Sequence, residues 1–372
     1  MPNYSQIYKF YYDWWKNIDK TLFTLIVFLF ILGLFFSLVS TSLIASDKLD
    51  TNNYFLFFKH LAYISLGIIV LIFFSSLNEK NLFRLSIFLF IISLFFLFLV
   101  PLLGSEVKGS KRWLDLFFLP RFQPIELVKP FMIILVATIL SSKKNFNIYF
   151  KYLLTFIAII PACLLLIIQP DIGQALLIFL SWTTLVFISG ISLFIIFTFF
   201  SFTLSSLVYA VFFIPKFSYI KNRILSFFNP SDGTHNFQSD KAIDAISSGG
   251  FFGKGVGEGT LKNRVPEAHT DYIISVISEE FGVVAIIFLL FLFFIYVVFK
   301  KIYLEKSEKI QLVLTGSMCL IISQVLIHIG VNIRLFPTTV MTLPFLSYGG
   351  SSIVGVSILS GIILNLTKRK ID

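Results

Sequence analysis

Cysteine is almost absent. The two present, Cys163 and Cys319, each fall inside an apolar run and read as small core residues, so neither a disulfide framework nor a thiolate metal centre is expected. Charge is scarce as well. Asp, Glu, Lys and Arg make up 13% of the chain, against about 25% in soluble domains. Hydrophobic residues make up 57% and the mean hydropathy is +0.89, which excludes a water-soluble globular protein. No polar block is large enough for a separate soluble domain. A cleavable leader is not expected either, because the first apolar run is too long for a signal-peptide core and lacks a clear small-residue cleavage site.

What the chain has is apolar runs near the length that crosses a hydrocarbon core of about 30 Å as a helix. Ten are read, at 21–45, 54–77, 82–101, 122–141, 149–168, 171–188, 190–213, 271–299, 310–334 and 345–367. The expected fold is one all-α polytopic membrane domain over 1–372, with an N-terminal segment 1–20 and one large extracytoplasmic loop, 214–270, before the eighth helix. Loops on the side of the two ends hold fifteen Lys and Arg, and the short loops opposite hold six. The positive-inside rule then places both termini in the cytoplasm and the mouth of the eighth span outside.

That mouth carries the most informative stretch, Val265-Pro266-Glu267-Ala268-His269-Thr270-Asp271-Tyr272, where a carboxylate meets hydrocarbon. A charge so placed is costly and marks a functional site. Spacing of four puts Asp271, Ser275 and Glu279 on one polar stripe, expected to face a cavity or another helix. Glu126 and Lys129 lie three apart, so on a helix they share a face; this pattern is more often structural than catalytic. Gln169-Pro170-Asp171-Ile172-Gly173 reads as a turn capping the sixth helix. Two prolines and Gly349-Gly350 in the last outer loop argue for a bent re-entry lining a wet pocket. The glycines between 249 and 259 are not a P-loop, since no Ser or Thr follows Lys254; they suggest flexible backbone near an anion.

Five motifs in register resemble the SEDS family of bacterial cell-wall glycosyltransferases. They are Lys108-Gly109-Ser110-Lys111-Arg112-Trp113, Gln123-Pro124-Ile125-Glu126, Gln169-Pro170-Asp171-Ile172-Gly173, Pro266-Glu267-Ala268-His269-Thr270-Asp271-Tyr272 and Pro344-Phe345-Leu346-Ser347-Tyr348-Gly349-Gly350-Ser351-Ser352. The resemblance covers essentially the whole chain. Met341-Thr342-Leu343-Pro344-Phe345, Gly255-Val256-Gly257-Glu258-Gly259-Thr260 and Trp14-Trp15 lean toward the division branch rather than the elongation branch.

The resemblance implies polymerisation of lipid II into glycan strands at the outer face of the bacterial cytoplasmic membrane, at the division septum. Asp271 matches the family's essential aspartate and is the expected catalytic residue. Lys111, Arg112, Glu126, Lys129, His269, Thr270, Glu279, Ser347 and Tyr348 are the expected substrate-binding residues. No protein metal cage is read, although a divalent Mg or Mn ion could accompany the diphosphate. Expected partners are lipid II, the lipid-linked glycan strand, the membrane, a class B penicillin-binding protein and other divisome proteins, with no nucleic acid. Rival readings are an elongation-branch polymerase, a lipid II flippase and a scaffold for the transpeptidase. The flippase fits less well, because the conspicuous polar residues gather at the outer edge rather than the midplane, where transporters bind.

Overall fold

The computed structural model describes residues 4–41, 54–107, 110–116, 120–143, 146–228, 237–298, 302, 305 and 307–368; Lys108 and Gly109 of the first motif lie outside them. In chain order the helices are α1 (Tyr4–Asn17), α2 (Lys20–Thr41), α3 (Phe55–Ser76), α4 (Glu79–Leu103), α5 (Ile125–Leu140), α6 (Ile148–Ile168), α7 (Ile172–Ile188), α8 (Leu193–Phe213), α9 (Ser218–Phe228), α10 (Phe237–Gly249), α11 (Ile273–Val298), α12 (Glu308–Asn332) and α13 (Gly350–Leu366). Each of the ten expected spans coincides with one of these helices. By length and composition α2, α3, α4, α6, α11 and α12 are long and apolar enough to cross a membrane. Helices α5, α7 and α13 have only 16 or 17 residues. At 1.5 Å per residue they are about 25 Å long, short of a hydrocarbon core of about 30 Å. All three start at the same end of the bundle, so the connections leading into them sink a polar depression into that end.

Helix α13 sits at the centre, buried along nearly its whole length from Ser352 to Leu366 and packed on α3 and α5, with α2, α4 and α12 behind. Small residues permit this closeness. A Cβ on Gly355 would come 2.5 Å from the Glu126 carbonyl, and one on Gly361 2.8 Å from that of Leu71. At the far end the Asn365 amide donates to Phe74 O, Ser75 O and Leu77 O at 2.9, 3.2 and 2.6 Å, closing the end of α3.

Three features depart from the sequence expectation. A short antiparallel hairpin, β1 (Ser105–Val107) with β2 (Ser110–Trp113), folds over the end of α4, and Leu114 bridges back to Phe122. The 214–270 segment is not a plain loop, since it contains α9 and α10. The eighth span is interrupted: Gly282 adopts φ 77 and ψ −174 inside α11, a region essentially closed to other residues.

The interruption is filled by the glycine run. In an unbroken helix the amides of Val283 and Val284 would bond the carbonyls of Glu279 and Glu280. Here those carbonyls accept from Lys254 N and Gly255 N at 2.9 and 3.0 Å, while Val283 N and Val284 N donate to Gly250 O and Phe251 O at 3.1 and 3.3 Å. Glu279 and Glu280 are 0% and 1% exposed. The Glu279 carboxylate accepts from Leu261 N at 2.8 Å and from Ser248 Oγ and Lys254 Nζ at 3.4 Å; that of Glu280 accepts from Gly257 N. The anion beside the glycines is therefore the chain's own pair of glutamates.

Candidate functional site

A cavity of about 960 Å³ opens at the end where α5, α7 and α13 begin. Its wall draws on the start of α3, the segment after β2, the first turns of α5 and α7, the approach to α11 and the re-entry before α13. Thr270 and Asp271 lie on it with Glu267, Arg112, Glu126, Tyr348 and the Gly349–Ser352 run.

The floor is a buried network. Arg112, 5% exposed, faces Asp171 at 3.7 Å and donates to Pro170 O at 2.6 Å, and Gln123 donates to the same carboxylate at 3.3 Å. Beside it Glu126 Oε1 accepts from Lys129 Nζ at 2.8 Å and Gln174 Nε2 at 3.2 Å. Lys129 continues to Gln324 Oε1 at 3.3 Å, and Gln324 donates to Thr342 O at 2.9 Å. Two cations and two carboxylates leave this floor formally neutral. Its side chains orient one another across α5, α7, α12 and the re-entry, as buried charges must when they are retained.

Asp271 lies two residues before the first turn of α11. The amides of Thr270, Asp271 and Tyr272 all point back at Glu267 O, at 3.0, 3.1 and 3.3 Å. Glu267 itself has φ 57, a left-handed conformation that costs a non-glycine residue about 1–3 kcal/mol and gathers at functional sites. The outward carbonyls are held one by one: His269 O by Tyr348 N at 3.0 Å, Thr270 O by Ser347 Oγ at 2.7 Å, and Asp271 O by Asn332 Nδ2 at 3.0 Å. The re-entry supplying two of these is itself anchored by Phe345, buried at φ 67, whose ring meets Phe30, Phe293 and Tyr296 at 5.3, 6.2 and 6.0 Å.

Of the residues expected to touch substrate, Asp271, Arg112, Glu126, Thr270 and Tyr348 are on the cavity wall. The other five do not line the wall. Ser347 is 2% exposed, accepting from Leu343 N while donating to Thr270 O. Lys129 is spent on Glu126 and Gln324 beneath the floor. Glu279 holds the glycine run, so the stripe from Asp271 does not continue down the cavity. His269 packs its ring against Tyr348 at 5.7 Å. Lys111 is exposed on β2, also off the wall. Arg112 is buried on β2, and Asp171, at the N-cap position of α7 as the turn reading expects, also turns its carboxylate to Arg112 and Gln123.

Two cations on the wall, Lys59 and Arg121, and the third carbonyl holder, Asn332, were not among the expected residues. Lys59 follows Phe57-Phe58 within an apolar span, and this intramembrane charge was the signal available. Among the described residues no three His, Cys, Asp or Glu side chains are arranged to hold a metal ion.

The probable peptidoglycan glycosyltransferase FtsW of Caulobacter vibrioides is 32% identical over 96% of this chain and 91% of its own length. The protein of the same name from Buchnera aphidicola of Schizaphis graminum is 36% identical over 74% and 79%. Among solved structures, a chain of a peptidoglycan synthase complex that coordinates polymerization and crosslinking superposes with a TM-score of 0.74 at 26% identity, covering 94% of this chain and 97% of that one. The rod shape determining protein RodA of Thermus thermophilus gives 0.68 at 26% identity, over 93% and 95%. The cell cycle protein family of FtsW, RodA and SpoVE matches residues 20–371, and this multi-pass membrane chain belongs to it.

Proposed function

We propose that this chain is a division-type peptidoglycan glycosyltransferase that joins lipid II units into glycan strands in the cavity beside Asp271. The observation that carries the reading is the placement of Asp271 on the wall of a cavity large enough for sugar and diphosphate groups, in a chain matched end to end by FtsW-named relatives. The Asp271 carboxylate takes the proton of the acceptor sugar hydroxyl as its oxygen bonds to the donor's anomeric carbon. The bond from that carbon to the diphosphate breaks in the same displacement, inverting the centre and leaving the charge on phosphate. Lys59 and Arg121 face the cavity as the phosphate-attracting cations, with the Arg112 guanidinium below them.

The excess of basic residues on the opposite side supports an orientation with the cavity toward the periplasm and both termini in the cytoplasm. A class B penicillin-binding protein is the natural recipient of the nascent strand, and division-site partners follow from the FtsW relatives. The test is lipid II polymerisation by the purified chain with and without that transpeptidase. Wild type yields long glycan and Asp271→Asn yields none. Movement of lipid II between leaflets without polymer would refute the reading.

A further inference from the structure

Asp271 stands on a segment without a helical ladder, so other groups must set where its carboxylate points. Its own amide is committed to Glu267 O, and its carbonyl to Asn332. Asn332 is the last residue of α12 and is 0% exposed. A carboxamide has two N–H donors. The Asn332 Nδ2 group spends them on Asp271 O at 3.0 Å and on His328 O, one turn back in its own helix, at 2.9 Å. His328 is fixed in turn, its Nδ1 lying 2.8 Å from Met341 O. One side chain thus ties the segment bearing the carboxylate to the rigid end of a long helix and, through His328, to the re-entry. Asn332 does not line the cavity, so it offers no contact to substrate.

We propose that Asn332 is a positioning residue for glycosyl transfer, holding the Asp271 backbone so that the carboxylate meets the acceptor hydroxyl at reacting distance. This rests on Asp271 acting as the base. A misplacement of about 1 Å at a reacting group costs on the order of 100-fold in rate. Substrate affinity comes from the cavity wall and is unaffected. Loss of the clamp therefore lowers kcat and leaves KM in place. Ser347, holding the preceding carbonyl, has the same character.

The test is steady-state lipid II polymerisation by the full chain in nanodiscs with its transpeptidase, for wild type, Asn332→Ala, Asn332→Leu, Ser347→Ala and Asp271→Asn. Asn332→Leu keeps the side-chain volume and removes the donors without burying a charge; it serves if Asn332→Ala folds poorly. The expected result is a kcat reduced by about 10- to 100-fold in both Asn332 variants, with KM within about 2-fold of wild type. Asn332→Leu at wild-type kcat while Asp271→Asn is inactive would overturn the positioning role alone. A raised KM at unchanged kcat would also overturn it, making Asn332 a binding residue. An active Asp271→Asn would overturn the base assignment, and the positioning role with it.

Discussion

Replacing Gly282 by alanine should unstitch the glycine run from α11. The new Cβ would stand 2.5 Å from Gly253 N and from the Phe251 carbonyl, and alanine would have to hold φ 77, ψ −174. That backbone alone costs about 1–3 kcal/mol. The four hydrogen bonds across the break contribute about 0.5–1.5 kcal/mol each, so releasing them costs at least about 2 kcal/mol. The strain is carried by the closed state and relieved on opening, so it lowers the local opening free energy by about 1–3 kcal/mol, roughly a 5- to 100-fold rise in the open population. Hydrogen–deuterium exchange in nanodiscs reads this directly, as faster exchange at the amides of Lys254, Gly255, Val283 and Val284, with the buried amides of α13 unchanged. Wild-type protection of those four amides in Gly282→Ala would refute the reasoning, because the close approach would then not require glycine.

Two substitution sets test the cavity floor. Arg112→Ala strands the 2% exposed Asp171 carboxylate and should cost about 3–5 kcal/mol, whereas Lys111→Ala, on an exposed side chain, should stay within about 0.5 kcal/mol; thermal unfolding in detergent compares them. Glu126→Gln leaves Lys129 buried without its carboxylate and should destabilise by a similar amount, while Glu126→Gln with Lys129→Met should recover part of the loss. Equal melting of Glu126→Gln and the double variant would refute this, because the stranded Lys129 ammonium would then carry no penalty.

Hydrophobic runs made the helices legible, since about 20 apolar residues in succession have few alternatives to a membrane helix. The break at Gly282 was hidden because Ser278-Glu279-Glu280-Phe281 continues a helical pattern and the backbone that replaces the ladder lies some 30 residues upstream. Asp271 was legible as a charge at an apolar boundary. Its surroundings were not: the partner of Arg112 is 58 residues away and the residue holding the Asp271 carbonyl is 61 away. Glu126 and Lys129 were the exception, because three residues on a helix fix both partners at once. Ser347 sat in a motif that pointed to the site but could not say whether its hydroxyl faced substrate or backbone.

The central position of α13 bears on how the bundle is made. Its principal neighbour, α3, lies far ahead of it in the chain, and α13 follows the other helices described. Until it inserts, the inner faces of α3 and α5 have no permanent mate, and the Asn365 amide that closes the end of α3 has yet to be synthesised. The central contacts of the bundle therefore join segments far apart in the chain, so they close only after the intervening helices have been synthesised.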